Sequence, residues 1–124
     1  MNDEAQYPPI PMSQDHIAKE FAKSIAGKWC YLHDYKRWFY HDGGHWQIDI
    51  VDEIKSIALS FCRSAVYWPE AAKLSDSEKR ALTYYRYVGD ILYFAKCDRK
   101  IATTAEEIGL PPKKSNYRGR YPCP

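Results

Sequence analysis

The 124-residue chain lacks the features that mark several large classes of protein, and its length suits one domain. Its cysteines, Cys30, Cys62, Cys97 and Cys123, include no CxxC pair, which excludes a zinc knuckle and a thioredoxin-type motif. No apolar run approaches the roughly 18 residues that a membrane-spanning helix needs, and no basic-then-apolar signal sequence begins the chain. We therefore expect a cytoplasmic protein, without a membrane partner, whose thiols are reduced.

Catalytic signatures and strong charge are lacking as well. The sequence contains no GxxxxGK[ST] phosphate loop, so these residues cannot hydrolyse ATP by the P-loop mechanism, and no primase-type acidic pair is recognisable. The net charge of +2 is too small to indicate nucleic-acid binding by itself. We expect a protein that is not an enzyme, with no catalytic residue, no bound metal and no cofactor.

Aromatic side chains are abundant, with eleven tyrosines, four tryptophans and four phenylalanines. Three of the tryptophans lie within residues 28–49, in three short segments that two turn-forming clusters separate. The clusters are Asp34-Tyr35-Lys36 and Asp42-Gly43-Gly44, and glycine favours the positive φ of a hairpin turn. This pattern predicts a small three-stranded antiparallel meander.

The alternation of side chains along these strands also predicts a core. Trp38 and Tyr40 share one face of the second strand, and Trp46 and Ile48 share one face of the third. We expect these four side chains to meet across the hairpin, since cross-strand aromatic pairs stabilise antiparallel sheets. They would close over the apolar stripe of the helix that follows.

Helical periodicity predicts about four helices around the sheet. The first follows a Ser13 cap and places Ile17, Phe21 and Ile25 on one apolar stripe. The second runs from Ile50 to Ala65. The third follows a capping box at Ser75 and Glu78 and runs to residue 95, with apolar side chains on nearly all its surface. A short fourth helix follows a second capping box at residues 104–107. The predicted fold class is therefore α+β, as a single domain.

The pattern also divides the chain into three parts. Residues 1–12 contain three prolines and predict a flexible lead-in, and residues 13–110 predict the folded domain. Residues 111–124 show no core-forming pattern and form a basic tail, with four basic residues and no acid.

One ordered set of residues indicates a family. Its members are Phe21, Trp29, Tyr31, Trp38, Asp42, Gly43, Trp46 and Asp49. Several predicted helices follow, and then residues 95–103, which combine basic, apolar and small side chains with a threonine. This order resembles the N-terminal helper domain of phage, plasmid and poxvirus-type helicase–primases, which precedes a superfamily 3 helicase. The resemblance covers residues 13–110.

The resemblance implies a non-catalytic accessory domain of a phage or plasmid DNA replication protein. Such a domain would contact DNA, single-stranded or forked, or dock a helicase or primase module in cis or in trans. Family members continue with a Leu-Asn-rich segment and a nucleotide-binding helicase, which these 124 residues lack. The sequence leaves open whether this is an excised domain or a short prophage or plasmid protein.

Basic residues beside aromatic ones are the candidate DNA contacts, because such mixtures support salt-dependent binding. They occur at the first hairpin turn, after the long helix and in the tail: Lys36, Arg37, Lys96, Arg99, Lys100, Lys113 and Lys114. Their ordinary alternative role is a solvated surface. Trp29, Trp38 and Trp46 could stack on unpaired bases, but core packing is the more common role of paired tryptophans.

Two other functions remain open. The tyrosine-rich helix over residues 78–95 is too apolar to be solvated on all sides, which favours a regulatory protein–protein interaction module without nucleic-acid binding. His33, His41 and His45 could bind a metal in a small hydrolase, but no recognisable ligand spacing surrounds them. The metal hypothesis is therefore the weakest.

Overall fold

The structure is a computed structural model that describes residues 9–111. The candidate contacts Lys113 and Lys114 lie outside these residues. Within them the elements are, in chain order, α1 (Gln14–Ile25), β1 (Trp29–Leu32), β2 (Arg37–His41), β3 (Trp46–Ile48), α2 (Glu53–Ala65), a 3-10 helix (Pro69–Lys73), α3 (Asp76–Ala81), α4 (Tyr85–Lys96), β4 (Ala102–Thr103) and a second 3-10 helix (Glu106–Ile108).

The sheet has four strands in the order β3-β2-β1-β4. The first three form the predicted antiparallel meander, and β4 joins β1 in parallel, so the sheet is mixed. The Tyr31 amide donates to the Ile101 carbonyl at 2.9 Å along this added pair. A three-stranded, purely antiparallel sheet was therefore an incomplete prediction. A strand of two residues is too short to show alternation, and its pairing depends on where α4 returns the chain.

The hairpin between β2 and β3 places Trp46 away from Trp38. Tyr40 pairs with Gln47, and His41 pairs with Trp46, so Trp46 and His41 lie on the same face. The prediction that Trp38, Tyr40, Trp46 and Ile48 meet over one core is wrong.

The length of the turn explains this error. The Asp42 amide donates to the His45 carbonyl at 3.1 Å, so Gly43 and Gly44 alone form the loop. The predicted turn also included Asp42, and one residue of register shift moves every side chain of a strand to the other face.

The sheet is consequently a middle layer with two apolar faces. One face carries Trp29, Tyr31 and Trp38, which belong to the main core together with residues of α1, α2 and α4. The opposite face carries Cys30, Leu32 and Phe39, with Trp46, Ile48 and Ile108 packed beside them. All four residues of β1 are therefore buried, which explains why this strand is apolar on both faces.

Three local predictions about the helices are confirmed. The Ser13 hydroxyl accepts from the His16 amide at 3.1 Å and caps α1, as the sequence predicted. Ile17 and Phe21 are buried on the predicted stripe of α1, which packs extensively on α4. The Ser75 capping box is present in both directions. No helix within residues 9–111 has both the length and the apolar character to cross a membrane.

Two predicted helix extents are wrong. The helix expected over residues 76–95 is two helices, because Leu82 to Tyr84 interrupt it and Tyr84 has an extended backbone. Threonine and tyrosine favour helix less than alanine or leucine, so they tolerate such a break. The second helix begins at Glu53 and not at Ile50, since Ile50 and Val51 are 78% and 77% exposed and precede it.

A buried aspartate sets the start of α2. The Asp49 carboxylate accepts from the Glu53 amide at 2.9 Å and from the Ile54 amide at 3.0 Å. These are two of the amides that a helix N-terminus leaves without a partner, and the helix dipole also favours a negative charge there. Asp52, the residue before α2, makes no side-chain capping bond with the residues described, and it has a left-handed backbone with φ 59°.

Replacing Asp49 by alanine should therefore destabilise the fold by about 1–3 kcal/mol, because one buried and one partly buried amide lose their acceptor. For a domain of this size that lowers the melting temperature by roughly 4–8 °C per kcal/mol. Asp52→Gly is the matched control. It removes a nearby carboxylate that caps nothing and relieves the left-handed strain, so it should change stability by less than about 1 kcal/mol. Equal losses in the two variants, measured by calorimetry, would contradict the assigned cap.

Candidate functional site

A cavity of about 350 Å³ lies where the main-core face of the sheet meets α2 and α4. Four basic and three aromatic residues line it together with apolar residues. We name it the basic cleft, defined by Lys36, Arg37, Lys55, Lys96, Tyr31, Trp38 and Tyr93. Three of the predicted DNA contacts, from segments about 60 residues apart in sequence, thus lie around one cavity.

The turn between β1 and β2 presents Lys36 and Arg37 to the cleft. The Lys36 amide donates to the Leu32 carbonyl at 2.7 Å, and Lys36 has a left-handed backbone with φ 55°. This conformation costs a residue with a Cβ about 1–2 kcal/mol. Asp52, with φ 59°, also lines the cleft. Strained backbone of this kind tends to occur at functional sites.

The last turn of α4 supplies Lys96. Its Nζ lies 4.9 Å from the centre of the Tyr31 ring, a distance at which an aromatic face attracts a cation. The ring of His33 donates from Nε2 to the Lys96 carbonyl at 2.9 Å and meets Tyr31 edge to face. These contacts fix the end of α4 against β1 and hold the Lys96 ammonium at the cleft.

The charge of the cleft is positive on balance. Four basic residues and two acidic ones, Asp49 and Asp52, line it. The Asp49 carboxylate already accepts from the start of α2, and Asp52 lies 3.6 Å from the Lys55 ammonium. A phosphate group is therefore the kind of ligand that this cleft attracts.

The aromatic residues of the cleft differ in what they can contact. Tyr93 is 64% exposed, whereas Trp38 is buried and packs edge to face against Tyr31. Trp29 is buried as well, which favours the core-packing role for these two tryptophans. Among the three aromatic residues of the cleft, Tyr93 is the exposed one. Tyr93 and Lys55 were not among the predicted contacts, because only the packing of α2 and α4 on the sheet brings them close to the predicted lysines.

The remaining predicted contacts lie elsewhere. Arg99 and Lys100 line a separate shallow cavity of about 480 Å³ with Trp29 and Trp46. They follow α4 in the turn before β4. The structure thus brings Lys36, Arg37 and Lys96 together and does not bring Arg99 and Lys100 to them.

The three histidines of the metal hypothesis make separate contacts. His33 bonds to the end of α4, and His41 accepts from the Gly43 amide through Nδ1 at 3.1 Å. His45 has its Nδ1 3.7 Å from Asp42. Among residues 9–111 no group of three potential metal-ligating side chains comes together.

Asp42 and Gly43, two of the family signature residues, build the second turn. The Asp42 carboxylate accepts from the His45 and Gly44 amides, both at 2.9 Å, and from the Gln47 side chain. These hydrogen bonds hold the pKa of Asp42 well below its usual range, and the bond from the His45 amide has the largest effect. Gly43 has φ 98°, which favours glycine at this position.

The chain matches one known protein family over most of its length. Residues 14–116 match the family model described as D5 N terminal like. The chain belongs to this family. It is the family of N-terminal domains of D5-like helicase–primases, as the resemblance predicted. Comparison with curated proteins and with solved structures found no match. The family therefore links the chain to DNA replication proteins.

Asp42 gives a prediction about acid stability. A carboxyl group whose pKa is lowered in the folded state stabilises it above the unfolded pKa of about 3.9, and this contribution is lost as the pH falls below that value. Asp42→Asn keeps an acceptor for the turn but does not titrate. Wild-type protein should therefore lose melting temperature more steeply between pH 4 and pH 2 than the variant does. If the melting temperatures of the two proteins fell in parallel between pH 4 and pH 2, the lowered pKa of Asp42 would be contradicted.

Proposed function

We propose that this domain is a non-catalytic accessory part of a phage or plasmid helicase–primase and that it binds single-stranded DNA in the basic cleft. The observation that carries the proposal is the convergence of Lys36, Arg37 and Lys96 beside Tyr31 and Tyr93. The D5 N terminal like family supports the replication context.

The cations of the cleft suit a DNA backbone. Neutralising phosphates with lysine and arginine releases bound counterions, which drives binding and makes it salt-dependent. Lys96 is held near the Tyr31 ring, so part of the entropy of ordering its side chain is already lost before binding.

Unpaired bases suit the aromatic part of the cleft. Tyr93 is 64% exposed, and stacking of a base on such a ring contributes about 1–3 kcal/mol. Only a base outside a duplex offers its full face. The exposed ring therefore favours single strands over duplex.

The carboxylates of the cleft support a binding role over catalysis. Asp49 is 5% exposed and accepts from two amides, so it is occupied by a structural role. Asp52 is exposed and lies beside Lys55. Neither is arranged as one of the paired carboxylates that hold metal ions in polymerising enzymes.

Binding should be measured by fluorescence anisotropy of a labelled single strand at several salt concentrations. Substituting Lys36, Arg37 and Lys96 with alanine should weaken binding at least about tenfold. It should also reduce the slope of log K against log salt by about 0.7 for each phosphate that the variant no longer neutralises, or about 2 in all.

The matched control removes three other charges, those of Lys73, Lys79 and Arg80. None of these lines the cleft among residues 9–111, so affinity should change much less. Similar losses of DNA affinity in the two triple variants would mean that binding depends on the net charge of the protein and not on the cleft. Absence of binding by wild-type protein at low salt would remove the DNA proposal.

A second candidate function is protein docking, in a regulatory module or against a helicase or primase in cis or in trans. Tyr84 is 56% exposed and Phe94 is 42% exposed, and neither lines the basic cleft among the residues described. Exposed aromatic side chains of this kind occur at protein interfaces.

For docking to a second copy, light scattering after size exclusion should give a mass above 14.5 kDa that rises with concentration. Replacing Tyr84 and Phe94 with serine should return the protein to a monomer and leave DNA affinity unchanged. Wild-type protein that is monomeric at all concentrations would contradict docking between copies.

A further inference from the structure

A second cavity continues from the basic cleft along α4. It measures about 480 Å³, within the roughly 300–1,000 Å³ range of small-molecule sites. We name it the apolar groove, lined by Leu59, Tyr85, Arg86, Val88, Gly89 and Leu92 with Lys55 and Thr83. Lys55, Gly89 and Leu92 also line the basic cleft. The two cavities are therefore one continuous depression between α2 and α4.

Gly89 lies at the junction of the two cavities, inside α4. A glycine within a helix costs about 1 kcal/mol relative to alanine. The backbone does not require it, since Gly27, Gly43 and Gly109 are the glycines with positive φ and Gly89 is not among them. Packing does not require it either, because an added Cβ would meet no described atom within 4 Å. The remaining structural effect of Gly89 is an open passage between the cleft and the groove.

The groove combines an apolar floor with a positive rim. Leu59, Val88 and Leu92 supply the floor, whereas Lys55 and Arg86 supply two cations. Within the described part of the chain, no acidic side chain lines the groove. Tyr85 stands beside it and is 92% exposed. An apolar pocket with cations and an exposed ring at its edge suits a flat aromatic base that is attached to phosphates.

The depression follows one side of α4. Tyr85, Gly89, Leu92 and Lys96 are spaced by four, three and four residues, which places them on one helical face. At 1.5 Å per residue they span roughly 17 Å. Adjacent nucleotides of a stacked strand are about 3.4 Å apart along its axis, so several nucleotides fit along this face.

We propose that the apolar groove takes an unpaired base of the same DNA strand whose phosphates the basic cleft binds, and that the strand crosses α4 at Gly89. This inference rests on the proposed DNA binding of the cleft. It assigns the strand a path from Lys96 to Tyr85, and it assigns Gly89 the role of keeping that path open.

Gly89→Leu tests the path without weakening the fold. Leucine is a strong helix former, so the variant should melt at a higher temperature than wild-type protein while its side chain fills the passage. Anisotropy with labelled oligothymidine should show affinity reduced about tenfold or more. Gly89→Ala is the matched control, since it gives the same helix benefit with one methyl group and should lose much less affinity.

A second DNA probe separates the contribution of the bases to binding from that of the phosphates. An abasic strand of the same length keeps the phosphates and lacks the bases, so wild-type protein should bind it about tenfold more weakly than oligothymidine. Gly89→Leu should show a smaller difference between the two strands than wild-type protein does, because its groove no longer accepts a base while Tyr93 of the basic cleft can still stack on one.

The outcomes distinguish the two proposals. If wild-type protein binds neither strand, the DNA proposal for the basic cleft fails and the groove proposal fails with it. If wild-type protein binds oligothymidine and Gly89→Leu binds it equally well, the groove proposal alone is overturned. Equal affinity of wild-type protein for the abasic strand and oligothymidine would overturn it too.

Discussion

The carboxylate of Asp49 joins the sheet to the helices, and the geometry of the cleft depends on that junction. The Asp49 amide donates to the Trp38 carbonyl at 2.9 Å, at the end of β3, while its side chain accepts from the first amides of α2. One residue thus ends the meander and begins the helix that carries Lys55. A buried carboxylate is tolerated here because the amides and the helix dipole stabilise its charge.

The position of α4 completes the arrangement. α4 packs on α1 and α2 and returns the chain so that β4 joins β1 in parallel. Its last turn meets β1 through the contacts of His33 and Lys96. β1, the strand that these contacts reach, is buried on both faces. The cleft and the groove are therefore lined by elements that pack closely on one another.

Local signals in the sequence predicted local structure well. The caps at Ser13 and Ser75, the meander and the buried stripe of α1 all depend on residues close to one another in the chain. The family resemblance was also correct, because it depends on the order of residues such as Trp38 and Trp46 in the chain. That order is independent of the packing of the two indole rings, which lie in separate layers.

The predictions were wrong or incomplete where the structure depends on a loop length of one residue more or less, or on contacts between residues distant in sequence. Excluding Asp42 from the loop moved Trp46 to the other face of the sheet, since side chains alternate with a period of two. For the cleft, Lys36, Arg37 and Lys96 were predicted as basic residues beside aromatic ones, but nothing local connects them. Lys55 and Tyr93 carry no local signal of a site.

The sequence alone determined the caps at Ser13 and Ser75, the three aromatic strands and the family, because each is encoded by side chains a few residues apart. Tertiary structure decided which tryptophans share a layer, that β4 joins the sheet and that the basic cleft and the apolar groove share Gly89. These features arise when elements distant in sequence pack together. Packing depends on how their shapes fit, which composition and periodicity do not specify.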